Sequence, residues 1–323
     1  MNMKRSTFLK TSAAASLGTA LLPNSIMAKN LLEDGLVDSI GIQLFSLPKT
    51  LETDFESGMK MLADMGYSEI ELYGPFSFSS QAAKDGWKAV TPMLGFSGSG
   101  FFGREAIEVK ALFNDLGLSI PSVHTDLDTL ENHMENFAES AETLGFEYVV
   151  LPAIPDDRRK TMDDYKKMAD TFNTIGANAK KLGLKFGYHN HGYGLNMVDD
   201  SIPFEVMMDN TDPESVFLEM DIFWTMAGKA DPIHYLEKYS GRYHCMHLKD
   251  MKENKTFSGD GGDASQWVAL FPNMASAGDG VVDFKALLEV AKANGVKHFF
   301  VEQDMVQNPE VALKKSFNHL IGL

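Results

Sequence analysis

The chain has 323 residues, a formal charge of −16, 44% apolar content and a single cysteine, Cys245. So acidic a surface repels phosphate backbones and argues against a nucleic-acid partner, and one cysteine allows neither a disulfide framework nor a thiolate zinc site. The length suits one α/β barrel, a fold of about 250 residues, and no composition break marks a second domain.

At the N-terminus, Lys4-Arg5 precede an apolar, small-residue stretch from Thr11 to Leu22, and Ser25-Ile-Met-Ala28 offers a small residue for cleavage. Residues 1–28 are therefore expected to be an export signal and 29–323 the folded domain, delivered to the periplasm. Lys4-Arg5-Ser-Thr-Phe-Leu-Lys10 is similar to a twin-arginine signal with lysine in place of the first arginine, so both the twin-arginine and the general secretory routes stay open. Removing Lys4, Arg5 and Lys10 leaves −16 − 3 = −19. The apolar stretch is too short and too rich in Ala, Ser and Thr for a membrane span of about 20 residues, and no later segment is a candidate.

From residue 38 short apolar runs alternate with longer amphipathic ones, the pattern of βα units around a parallel sheet. The runs predict strands at Ser39–Phe45, Glu69–Tyr73, Ser119–His124, Tyr148–Leu151, Leu184–His189, Val216–Asp221, Tyr243–Leu248 and His298–Glu302. Helices are expected at Phe55–Met65, Ala106–Leu116, Leu130–Leu144, Tyr165–Leu182, Pro232–Tyr239, Phe284–Ala293 and Pro309–His319, several of them stopped by glycine. Eight such units predict a single-domain (β/α)8 TIM barrel. No G-x-G-x-x-G follows the first strand, as an open doubly wound sheet binding a dinucleotide would require. The glycine-rich stretch 95–103 reads as a loop, over the site or simply connecting. The long connections 74–103 and 251–280 read equally as lids or as contacts of a homo-oligomer.

Barrel active sites collect at the C-terminal strand ends. Here those ends offer Gln43, Glu71, His124, His189, His191, Asp221, His247, Lys249, Asp250 and Glu302. His189 and His191 are separated by one residue in Tyr188-His-Asn-His-Gly-Tyr-Gly194, and in a strand such a pair faces one way. Each residue alone has an ordinary reading: Glu71 as a solvent-facing carboxylate, His124 as a packed ring. Imidazoles and carboxylates converging from strands five to eight suggest a divalent metal site, and without thiolates Mn, Zn, Co, Mg and Fe all suit it.

Four motifs then occur in order: Met220-Asp-Ile-Phe-Trp224, His244-Cys-Met-His-Leu-Lys-Asp250, Gly278-Asp-Gly-Val-Val-Asp283 and Phe299-Phe-Val-Glu-Gln-Asp304. Their order and spacing resemble the sugar phosphate isomerase/epimerase family of xylose isomerase-like TIM barrels, in the superfamily of the AP endonuclease family 2 enzymes. The resemblance covers residue 38 to the end. It implies a divalent ion held from strands five to eight by His189, Asp221, His247 and Glu302. Where many relatives carry glutamate in strand five, this chain has His189, a form closer to the inosose dehydratases.

The resemblance implies a carbohydrate substrate and a metal-dependent isomerase or epimerase that abstracts a proton beside a carbonyl through a metal-stabilised enediolate. A lyase or dehydratase eliminating from a keto-sugar or keto-glycoside is the alternative. Glu302 is the first choice of base and His191 the second, because a metal-bound imidazole nitrogen cannot accept a proton. Lys249 is expected to stabilise the anion. Gln43, Glu71 and His124 are expected substrate contacts, and Trp224 reads equally as a stacking surface for a sugar or as core. No phosphate-binding loop of Gly and Lys is present, DNA repair fits badly with the charge, and a non-catalytic sugar-binding protein would not need Asp221 and Glu302.

Overall fold

The computed structural model describes residues 35–37 and 39–323; the expected export signal lies outside the described residues. Eight parallel strands close into one barrel in sequential order. They are Gly41–Gln43, Glu69–Tyr73, Ser119–His124, Tyr148–Leu151, Lys185–His189, Val216–Asp221, Tyr243–Leu248 and His298–Val301. The first is shorter than expected because the chain turns at once into a 3-10 helix, Leu44–Ser46, whose start Gln43 caps by accepting from Phe45 N.

Alternation along each strand sends one set of side chains outward, under the helices, and the other inward. Outward-facing Phe186 and Tyr188 of strand five each lie 5.1 Å from Phe172 of the Met162–Lys181 helix. The interior is a plug. Tyr148, Val150, Cys245 and Phe300 form one buried cluster, and it fits because two neighbours lack side chains. A Cβ on Gly41 would stand 2.5 Å from Phe300 Cδ1, and one on Gly187 would stand 3.0 Å from Val150 Cγ2. Cys245 is buried in this plug, which holds its thiol protonated.

Several regions differ from expectation, among them helices at Pro48–Thr53, Pro203–Asp209 and Ile222–Ala227 that the apolar period does not announce. The helix expected over Leu130–Leu144 is a pair, Leu127–Asn132 and Met134–Leu144, broken at His133 where φ is −137°. Asp126 starts the first of them by accepting from Thr129 N, a cap that the apolar period does not announce. The connections 74–103 and 251–280 are not bare loops. The first contains a helix, Gln81–Leu94, capped by Ser80 and stopped at Gly95, whose φ is 77°. The second holds an antiparallel ribbon, Asp250–Met251 with Met274–Ala275, and a helix, Ala264–Leu270.

Candidate active site

Above the plug, inward-facing polar residues fill the C-terminal mouth. Strand pairing aligns them: Gln43 beside Glu71, His189 beside Glu219 and Asp221 beside His247. A register shift between Leu218 and Glu219 brings Glu219 level with Cys245, on the inner face.

Glu71 and Glu219 form the centre. His124 Nε2 lies 2.6 Å from Glu219 Oε2 and 3.2 Å from Glu71 Oε2. His247 Nε2 lies 2.6 Å from Glu71 Oε2, which also accepts from Gln43 Nε2 at 2.8 Å. His189 Nδ1 lies 2.9 Å from Glu219 Oε2, leaving its Nε2 turned toward Asp221 Oδ2 at 3.7 Å. A carboxylate holding one imidazole nitrogen while the other faces the site is how metal-binding histidines are oriented. The second group sits beside it: Lys249 Nζ lies 3.1 Å from Asp221 Oδ2, 2.6 Å from Glu302 Oε2 and 2.7 Å from Asp304 Oδ2, and His247 Nδ1 lies 2.8 Å from Glu302 Oε2.

Burial and charge set the protonation. Burial opposes the charge on His247, but Glu219, Glu302 and Glu71 outweigh it and push its pKa well up. For His124 burial is likewise outweighed, by Glu71 and Glu219, raising it to about 9. His189 moves the other way: burial, then the positive charge of His247, keeps it neutral. His191 is lowered to about 3 by burial and by Lys249. Burial would raise Glu302, but Lys249 and His247 hold it well below the usual carboxylate range. Glu219 rises to about 7 through burial and the neighbouring charge of Glu71, and Asp304 to about 6 through burial and Glu302.

The donor set fits a divalent cation. His124, His189, Glu219 and His247 each offer an atom within 4.8 Å of the others, and so do Asp221, His247 and Glu302. All are buried, and Glu71 Oε1 and Glu219 Oε1 have no hydrogen-bond partner. Unpaired buried carboxylate oxygens are costly unless a cation meets them. Nitrogen and oxygen donors without sulfur suit the ions named above.

The four expected ligands are thus distributed over both groups, with His247 shared. Glu219 is the addition, and Asp304 joins Lys249. A cleft of about 430 Å³ opens onto this layer, lined by Gln43, His124, His189, His191, His247, Glu302 and Asp304 on its polar side. His191 is turned by a hydrogen bond between its Nδ1 and Pro152 O and is stacked 4.9 Å from Trp267. Glu71, Asp221 and Lys249 lie beneath the cleft wall, each at most 1% exposed. Asp250 faces away, its carboxylate accepting from the backbone of Gly278, Gly280 and Val282. Trp224 is core: it sits in the Ile222–Ala227 helix, 1% exposed, stacked on Phe257 at 5.8 Å. The stretch 95–103 lies off the cleft wall, pinned where Glu52 accepts from Ser97 N at 2.8 Å and Tyr73 OH donates to Gly98 O at 2.8 Å.

Three comparisons bear on this geometry. The inosose dehydratase 2 of Bacillus cereus is 33% identical over 161 residues, 48% of this chain and 53% of that protein; the match spans about half the length of this curated relative. A sugar phosphate isomerase/epimerase from Parabacteroides distasonis superposes with a TM-score of 0.66 at 23% identity, covering 88% of this chain and 93% of that one. The IOLI protein, solved with a zinc atom, gives a TM-score of 0.60 at 16% identity over 87% and 95%. At such identities the structural likenesses speak for the fold alone. The family profile described as xylose isomerase-like TIM barrel matches residues 59–322, more than half of the chain, and with the closed eight-stranded barrel it places this protein in the xylose isomerase-like TIM barrel family.

Proposed function

We propose that the protein is a metal-dependent enzyme that removes a proton from the carbon beside a carbonyl of a keto-sugar or keto-polyol. The observation carrying the reading is Glu302: an ionised carboxylate lining the cleft, steadied by Lys249 and His247, next to a buried nest of metal-ligand residue types. His124, His189, Glu219 and His247, or Asp221, His247 and Glu302, would hold the ion. When bound, such an ion supplies Lewis acidity toward a carbonyl oxygen.

This chain's residues then have defined tasks. Glu302 takes the proton; its low pKa makes it a weak base, so the carbon must be strongly acidified first. Lys249, with a pKa pushed up by Asp221, Asp304 and Glu302 against the effect of burial, stays a cation beneath that carboxylate and stabilises negative charge there. His191, neutral and with Nδ1 engaged by Pro152, presents Nε2 as the second proton-transfer group on the wall built by strand five.

Both cleft-lining carboxylates near the nest, Glu302 and Asp304, follow strand eight, and imidazoles stand at strands three and five. That one-sided arrangement favours elimination, in which a carboxylate takes the proton and an imidazole assists the departing oxygen, and the inosose dehydratase likeness supports it. Isomerisation or epimerisation is the second reading, favoured by His191 Nε2 as an acceptor on the strand-five wall, itself a weak base that needs the carbon strongly acidified.

Deuterium exchange tests both. The protein is loaded with Mn²⁺ and incubated in D₂O with an inosose, a ketose and a 3-keto-glucoside, followed by NMR. Deuterium beside a carbonyl, or a new enone signal with loss of an oxygen substituent, is expected, and Glu302→Gln should slow it at least about 100-fold. Exchange equal to the protein-free control, with and without metal, overturns the reading.

A further inference from the structure

The cleft has a second arm. Away from the imidazoles and carboxylates its wall is Phe45, Tyr73, Pro75 and Trp87, with Ala83, Gly86 and Val90 above. Phe45 and Tyr73 meet edge-on at 5.3 Å, and Tyr73 and Trp87 lie 5.9 Å apart. Their polar tips are already occupied: Tyr73 OH donates to Gly98 O and Trp87 Nε1 to Ser97 O, both at 2.8 Å. Toward the cleft these rings offer carbon surface alone.

Overhead, residues 83, 86, 87 and 90 fall on one face of the Gln81–Leu94 helix, at i, i+3, i+4 and i+7. In a helix packed on a core that stripe is buried, yet no residue of this helix is fully buried. The stripe faces open space: a Cβ added at Gly86 meets nothing within 4 Å. The helix is held at its N-cap, by Ser80 N donating to Thr129 Oγ1 at 3.3 Å, and at its middle, by Trp87 resting on Phe96 at 5.7 Å.

Resting on the keto-sugar reading above, we infer that this arm is a binding subsite for a second ring carried by the same substrate, so that the substrate class is a glycoside. The shared chemistry of its occupant is a flat apolar face, either the C–H face of a second sugar or an aromatic aglycone. Such faces pack on aromatic walls, and this wall is continuous with the site where the reacting ring sits.

Calorimetric titration of the full chain with methyl β-D-glucoside, cellobiose and phenyl β-D-glucoside tests the subsite. The second ring is expected to tighten binding roughly tenfold over the methyl glycoside. The increment should vanish in Gly86→Leu, which fills the arm without weakening the helix, and in Trp87→Ala, with the methyl glycoside unchanged in both. An increment for cellobiose only identifies a second sugar, and one for the phenyl glycoside only an aromatic aglycone. Equal binding of all three, or an increment surviving Gly86→Leu, overturns the subsite while leaving the keto-sugar reading standing. Binding of none overturns the subsite too, and leaves the keto-sugar reading to the exchange experiment, because none of these three ligands presents a ketone.

Discussion

Lys249 is a cation 1% exposed, within 3.1 Å of each of three carboxylates. Its removal leaves Asp221, Glu302 and Asp304 to repel one another at the floor of the cleft, where Asp221 is fully buried. A methionine of similar length keeps the volume and loses the charge, so Lys249→Met should destabilise the chelator-treated protein by about 3–5 kcal/mol, read as a shift in the urea midpoint. A shift below about 1 kcal/mol would mean that the acids are already protonated. Glu219 plays a different part, orienting His124 and His189. Glu219→Gln is expected to weaken Mn²⁺ or Zn²⁺ affinity by about 10–100-fold with unfolding little changed, and unaltered affinity would remove Glu219 from the site. Strand ends supply Gln43, Glu71, His124, His189, His247 and Glu302 directly from sequence. Glu219 was equally legible, since the i, i+2 rule that pairs His189 with His191 pairs it with Asp221. Asp304 was not, because it lies past the strand, where no period says which way a side chain turns.

Among the elements, the barrel strands follow the sequence closely because each carries an uninterrupted period, and so do the helices with a clear stop, the segment broken at His133 excepted. The Gln81–Leu94 helix escapes that logic: its apolar stripe is interrupted by Gly86 and Pro92 and faces a cleft instead of a core. Strand one shows how little room the interior leaves. Gly41 pairs with Phe300 of strand eight and Glu69 of strand two, and Phe300 occupies the space a side chain at 41 would need. Gly41→Val should therefore cost about 1–3 kcal/mol through overpacking. Phe300→Leu alone creates a void, but combined with Gly41→Val it should recover part of the loss. The coupling appears in a double-mutant cycle of thermal unfolding. Strictly additive effects would show that the two sites do not share this space.

As a whole the barrel separates two polar ends with an apolar plug, and the ends answer pH differently. At the lower end, His244 is stacked 4.1 Å from Phe217 with Nδ1 3.0 Å from Tyr148 OH. Burial first, then Lys297 and Lys185, lowers its pKa to about 4 from the usual 6.5. The folded state therefore binds fewer protons here than the unfolded chain. By linkage this contribution is fully present above pH 6.5 and is lost as the pH falls through 4. Protonated His244 can no longer accept from Tyr148, so the loss is packing and hydrogen bonding together. His244→Gln keeps a side chain that can accept from Tyr148 but removes the titration. Between pH 7 and 4.5 the wild-type urea midpoint should fall more than that of the variant, the remaining slope common to both belonging to the carboxylates. Parallel curves would show that His244 carries its proton in the folded barrel, and that its burial between Phe217 and Tyr148 does not hold it neutral.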